Sequence, residues 1–299
     1  MKRFFVSAIL CAACAVFAAE SSSALLKQAG TLVKAKKYDE ADRVYRKAAK
    51  AAKNSDEAAT ALFRRAEMFK QLKRYDEALA GFEEILAVKN ITRHNRGTAL
   101  RALAQVRMLQ GKTRDAIRYY KAAGAVNAGT WIDNTANAEL AAICEKLGWY
   151  EDALAAHKAC SQAAKCPPEG KAAAYAGMVL ALAKLSRFEE AHAAMEQLNG
   201  LAGTLKKNNA AVIRGMAEAR LADAEKDWNK AIEAYRAVMA LPKIHYSQRR
   251  AAANRAAAIA LHELKQIGLA KSIVDELRKT DKYGADEELL LAIKKGAKK

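Results

Sequence analysis

Proline and glycine are scarce in this chain, three and fifteen among 299 residues. A β-sandwich or barrel needs turn chemistry about every 8–12 residues, and so few turn formers argue against one. Aromatic residues reach only 7% although 52% of the chain is hydrophobic, because much of the apolar content is alanine. Alanine, leucine, lysine, glutamate and arginine lose least on entering a helix, so composition points to an all-α protein. Also lacking are the motifs that carry chemistry. There is no Gly-rich phosphate loop, no Gly-x-Ser-x-Gly elbow and no His-Glu-x-x-His. The five histidines (His94, His157, His192, His245, His262) never pair at helical spacing. Acidic pairs such as Glu83-Glu84 and Glu189-Glu190 are adjacent, so on a helix they diverge by about 100° and read as solvated faces. No catalytic residue, metal site or cofactor is expected, and the chain reads as a binding protein.

The start of the chain departs from this composition. Met1-Lys2-Arg3 is a short positive stretch, Phe4 to Phe17 is an unbroken run of apolar and small residues, and Ala18-Ala19 leads into Glu20-Ser21-Ser22-Ser23. That order is the tripartite pattern of a secretory signal, with cleavage expected after Ala18. The apolar run is too short to span a hydrocarbon core of about 30 Å as a helix. Leu10-Cys11-Ala12-Ala13-Cys14 resembles a lipoprotein cleavage site imperfectly, which makes a lipid-anchored form the lesser reading. The chain is expected to be exported, periplasmic or secreted. Cys144, Cys160 and Cys166 remain after processing. An odd count in an oxidising compartment permits one bridge at most. A local Cys160–Cys166 bridge is one reading, and small core residues are the other.

The rest of the chain repeats itself. Tyr38-Asp39-Glu40-Ala41 returns as Tyr75-Asp76-Glu77-Ala78, Thr113-Arg114-Asp115-Ala116, Tyr150-Glu151-Asp152-Ala153, Phe188-Glu189-Glu190-Ala191, Trp228-Asn229-Lys230-Ala231 and a degenerate Ile267-Gly268-Leu269-Ala270. These anchors lie 37–40 residues apart. A bulky residue follows the alanine four positions later, and a small or apolar one three further on, which makes one stripe of a helix. Nine residues before the anchors stand Ala29, Ala66, Ala104, Ala141, Val179, Ala219 and Ala258, small enough to let two helices approach closely.

These residues resemble the tetratricopeptide repeat, whose units place small residues on the first helix and at the start of the second, with an aromatic before the turn between them. The resemblance covers roughly residues 21 to 279. It departs in unit length, longer than 34 residues, and in the poor match at Leu25, Leu62, Leu100, Asn137, Tyr175, Gly215 and Asn254, where the family has its tryptophan. It implies a right-handed α-solenoid of antiparallel helix pairs; after the signal at residues 1–18, seven pairs are expected over 19–284, and a capping helix and basic tail over 285–299. First helices are expected near 22–35, 56–72, 93–110, 131–147, 169–185, 205–225 and 245–264. Second helices are expected near 38–53, 75–88, 112–126, 150–164, 188–199, 228–240 and 267–279. Ser55-Asp56 reads as a helix cap, Gly111 and Gly148 as turn residues, and the stretch Asn199-Gly200 to Gly203 as the longest loop and the one internal boundary.

By the same resemblance, the first helices line a concave groove, and the positions looking into it include Phe63, Lys70, Arg101, Gln105, Met108, Met216, Arg220 and Arg255. That mixed apolar and basic lining suits a protein or peptide partner bearing acidic and apolar side chains. The lysine–asparagine clamp of chaperone-type relatives is not reproduced at Phe63, Glu67, Arg101 and Gln105. The formal charge of +18 supplies a second reading, docking on an anionic envelope surface or another polyanion. Lys34, Lys36, Lys37, Arg43, Arg46, Lys47, Lys50 and Lys53 crowd the first unit. Nucleic acid is disfavoured as partner, since export removes it and the aromatics take packing positions.

Overall fold

Each anchor is preceded, two residues upstream, by a backbone in the left-handed region. In the computed structural model, which describes residues 20–280 and 287–296, these residues are Lys36, Lys73, Gly111, Gly148, Ser186, Lys226 and Lys265, with φ between 57° and 74°. Such a residue ends one helix and turns the chain into the next. The amide after it donates back to a carbonyl five residues earlier, as in Lys37 N to Leu32 O at 2.9 Å and Arg74 N to Phe69 O at 2.9 Å. The same bond recurs from Lys112 to Arg107, Trp149 to Cys144, Arg187 to Leu182 and Asp227 to Ala222. This is the Schellman closure, repeated in six pairs; in the seventh, Gln266 N reaches Ala260 O.

The turns join helices into seven pairs: α1 (Ser22–Lys34) with α2 (Tyr38–Lys50), α3 (Ser55–Gln71) with α4 (Tyr75–Ala87), α5 (Arg93–Leu109) with α6 (Thr113–Gly124), α7 (Trp131–Leu147) with α8 (Tyr150–Gln162), α9 (Pro168–Lys184) with α10 (Phe188–Gly200), α11 (Lys207–Ala224) with α12 (Trp228–Ala240), and α13 (Tyr246–His262) with α14 (Ile267–Thr280). A last helix, α15 (Glu287–Gly296), follows. No strand occurs among the described residues. The signal expected over residues 1–18 lies outside them, as do residues 281–286 and the end of the basic tail, 297–299.

Packing follows the repeat. The alanine three after each anchor (Ala41, Ala78, Ala116, Ala153, Ala191, Ala231, Ala270) is fully buried. The bulky position behind it is buried in six units, by Tyr45, Phe82, Tyr120, Met195, Tyr235 and Val274. Ala29, Ala66, Ala104, Ala141, Val179 and Ala219 are likewise fully buried, while Ala258 is only half-buried. At Ala66 the helices touch so closely that a Cβ on Gly81 would lie 2.8 Å from the Ala66 Cβ, so only glycine fits on that face of α4.

The chain divides into two compact units, up to Ala116 and from Ile117 onward. The division falls inside α6 and not at residues 199–203, where the loop instead holds a short 3-10 turn, Ala202–Thr204. In the first unit each helix from α1 to α5 packs on the next, and first helices also touch one another, α1 with α3 and α3 with α5. In the second unit the same order runs from α7 to α14, except that α11 leans chiefly on α9 and little on α10. There α15 packs on α13 and α14, with Leu289 and Ile293 buried in the core cluster that contains Ile259, Ile273 and Leu277. That is the capping role expected of it.

Two local expectations need correction. Asn54, not Ser55-Asp56, caps α3, its Oδ1 accepting from Glu57 N at 2.9 Å. Asp56 instead fastens the start of α3 to that of α5. Its Oδ1 accepts from Thr92 Oγ1 at 3.1 Å and Asn95 Nδ2 at 2.7 Å. All three cysteines are free and buried, so the local Cys160–Cys166 bridge is not formed. Burial raises each thiol, that of Cys160 to about 12, as expected of core residues.

Candidate functional site

The sequence-designated groove residues divide between the two units. In the first, Phe63, Lys70, Arg101, Gln105 and Met108 are all half-buried on α3 and α5. Lys70 is already engaged: its Nζ lies 2.8 Å from Glu67 Oε2 and 3.5 Å from Gln105 Oε1. Glu67 sits one helical turn before Lys70, so this pair neutralises itself along α3. Arg101 also has interactions within the protein. Phe63 is the aromatic residue among the five. Its ring packs tilted on Phe82 at 5.4 Å and borders a cavity of about 150 Å³.

That cavity is formed by Ala59, Thr60, Phe63 and Arg64 of α3, Ile85 of α4, and Asn95 and Thr98 of α5. Its polar neighbours are largely satisfied internally. Thr60 Oγ1 donates to Asp56 O at 2.8 Å, Thr98 Oγ1 to His94 O at 2.9 Å, and Asn95 to Asp56. What remains is an apolar socket with a guanidinium at its rim. Arg64 is exposed and has no ion-pair partner among the described residues. Sequence reading missed Arg64, Thr60 and Thr98. Only the threonines carry a repeat signal, standing fifteen residues before their anchors in successive units.

Next to it in the chain, Arg65 faces inward. It is 6% exposed, and its guanidinium bonds Asp42 of α2 and, at 3.1 Å, Glu84 of α4. It also lies 5.3 Å from the centre of the Phe69 ring. Adjacent arginines thus differ in role: Arg65 fastens three helices, and Arg64 is free to meet a partner.

In the second unit Met216 is half-buried and packs against the core, while Arg220 and Arg255 are exposed. Arg255 forms a two-pronged bond with Asp223, 2.6 and 2.7 Å, so its charge is matched across α11 and α13. Beneath it burial, and then the Asp223 carboxylate, push the Tyr235 hydroxyl up to about 12. Of the two arginines, Arg220 keeps an unmatched charge among the described residues. His157, read from sequence as packing, is half-buried with Nε2 2.7 Å from Glu145 Oε1.

A larger cavity, about 380 Å³, lies beside Asp133 and Asn137 in the second unit. Asp133 is buried and accepts from Ala128 N at 3.0 Å and Gly129 N at 2.8 Å. Asn137 donates to Asp133 O at 2.8 Å. These groups hold the loop before α7 in place. No group of three or more metal-ligating side chains occurs among the described residues, and no helix there is long and apolar enough to cross a membrane.

Residues 56–125 match the family model for the tetratricopeptide repeat. No curated protein matches the chain. Among solved structures it is similar to the C-terminal part of a tetratricopeptide repeat-containing protein from Cytophaga hutchinsonii, with a TM-score of 0.54 and 16% identity over 89% of this chain and 98% of that one. It is also similar to a tetratricopeptide repeat protein from Parabacteroides merdae, with a TM-score of 0.52 and 13% identity over 92% and 98%. At such identity these likenesses concern the fold. The matched segment runs from α3 into the end of α6, and the same turns and buried alanines recur before and after it. Residues 56–125 thus match the tetratricopeptide repeat, and the described helix pairs on either side of them share its solenoid fold.

Proposed function

We propose that this protein is an exported interaction scaffold that holds an extended or helical peptide against the α3–α5 face, with an apolar side chain in the Phe63 cavity and a carboxylate on Arg64. Tetratricopeptide arrays present surfaces for protein partners. The observation that carries this reading is the pairing of an apolar cavity with an unmatched arginine on one rim. Its size is decisive. Sites for small molecules occupy about 300–1,000 Å³, and about 150 Å³ suits a single side chain. A buried apolar anchor beside a charged contact is the usual composition of a binding hot spot. Lys70 and Arg255, bound by Glu67 and Asp223, support the protein's own helices and are removed from the contact set; Met108 and Gln105 line the same α5 further along.

The test is selection of a displayed random peptide library on residues 19–299. The expected consensus pairs a bulky apolar residue with an acidic one. Phe63→Ala and Arg64→Glu should each weaken the selected peptides about tenfold or more, and Arg255→Ala in the second unit should leave them unchanged. Selected peptides that bind both variants as tightly as the parent overturn the reading. Export is checked separately, by fractionation and by an N-terminus beginning at Ala19.

A further inference from the structure

The acidic side chains of α2 are all spent, and its basic ones are not. Asp39 lies 3.8 Å from Arg74, Glu40 3.3 Å from Lys37, and Asp42 holds both Arg46 and Arg65. Arg43, Lys47 and Lys50 stand at i, i+4 and i+7 on the outer face of the same helix, all exposed and without an ion-pair partner among the described residues. Lys34 at the end of α1, Lys36 in the turn before α2, and Lys53 just after α2 are likewise exposed and unmatched among the described residues. The opposite face of α2, with Ala41, Tyr45 and Ala48, is buried, so the stripe cannot turn inward.

We propose that this stripe docks the first repeat onto anionic lipid headgroups. The surroundings select among anionic partners. The large apolar side chains exposed elsewhere are Leu109, Trp131, Leu147, Trp149, Tyr246 and Leu291, none of them on α1 or α2. A protein interface would need such an anchor at its centre, and single-stranded nucleic acid would need aromatic platforms for its bases. A straight row of unmatched cations with neither feature fits a plane of dispersed phosphates, where each lysine or arginine contributes separately and no pocket is required.

The experiment is sedimentation of residues 19–299 with vesicles of mixed phosphatidylglycerol and phosphatidylcholine, or of phosphatidylcholine alone. Three chains are compared: the parent, a variant carrying Arg43→Glu, Lys47→Glu and Lys50→Glu, and a control of equal net charge carrying Lys146→Glu, Lys158→Glu and Lys184→Glu. Circular dichroism establishes that each is folded, and a second α2 variant with glutamine at the three positions replaces the first if it is not. The parent should bind the anionic vesicles only, the α2 variant should lose about thirtyfold or more, and the control should stay within about threefold. Equal losses in both variants would show that net charge alone acts, and overturn the proposal. So would absence of binding to anionic vesicles, or an α2-dependent affinity for a single-stranded oligonucleotide exceeding that for the vesicles. The peptide contact at Phe63 and Arg64 is independent of these three positions, so either reading can fail alone.

Discussion

At the scale of the residue, a repeat position is filled by whatever its neighbour leaves room for. His157 stands where the other units bury Tyr45, Phe82, Tyr120, Met195, Tyr235 and Val274, and it is accommodated by the absence of a side chain on α9. A Cβ on Gly177 would fall 2.2 Å from two atoms of the His157 ring, closer than any relaxed contact permits. Glycine in the middle of α9 costs helix stability, about 1 kcal/mol relative to alanine, and the imidazole is what requires it. Gly177→Ala should therefore destabilise the protein by about 1–3 kcal/mol through overpacking. In a His157→Ala background the same change should reverse sign and stabilise by up to about 1 kcal/mol. Urea unfolding of the four chains of this cycle measures both effects. Additive changes would mean that the ring and the glycine do not oppose one another.

At the scale of the element, helix ends are governed by the left-handed residue that precedes each anchor. The sequence discloses that position plainly only where it is glycine, at Gly111 and Gly148, because Lys36, Lys73, Lys226 and Lys265 carry no turn signature and Ser186 only a weak one. The helices themselves were legible because alanine, bulky and small residues recur at fixed offsets; α7 and α12 begin and end where that spacing predicts. The contact residues were less legible. Nothing in the pattern separates Arg64 from Arg65, and the self-neutralising pairs of Lys70 and Arg255 depend on which side chains the packing brings together. The lysine turns carry a cost that can be measured. A non-glycine residue at φ near 60° costs about 1–2 kcal/mol, against about 0.5–1 kcal/mol for the extra freedom that glycine loses on folding. Lys73→Gly should thus stabilise by about 0.5 kcal/mol, and Lys36→Gly with Lys226→Gly should add to it because the sites are far apart in the repeat order. Thermal unfolding of the triple variant should show a higher Tm, whereas Gly111→Lys should lower it. The opposite order would mean that the turns are held by their lysine side chains.

At the scale of the whole molecule, an array in which each helix touches only its near neighbours has no single core, and its stability is a sum of local terms. The last pair then depends on what covers it. Leu289 and Ile293 of α15 complete the cluster of α13 and α14, where Ala252, Ala256, Ile259, Ile273 and Leu277 are fully buried. Replacing both with aspartate exchanges two buried apolar contacts for charges that must stay hydrated, a loss of about 2 kcal/mol or more each. The effect should be confined. Amide hydrogen exchange in α13 and α14 should accelerate about tenfold or more, while α1 to α5 keep their protection. Uniform acceleration along the chain would instead mean that the repeats unfold as one cooperative body, and unchanged exchange in α13 would mean that α15 caps nothing. The confined outcome has a functional corollary: the Phe63 cavity and the α2 stripe both belong to the first unit, so damage at the far end should leave peptide and vesicle binding intact.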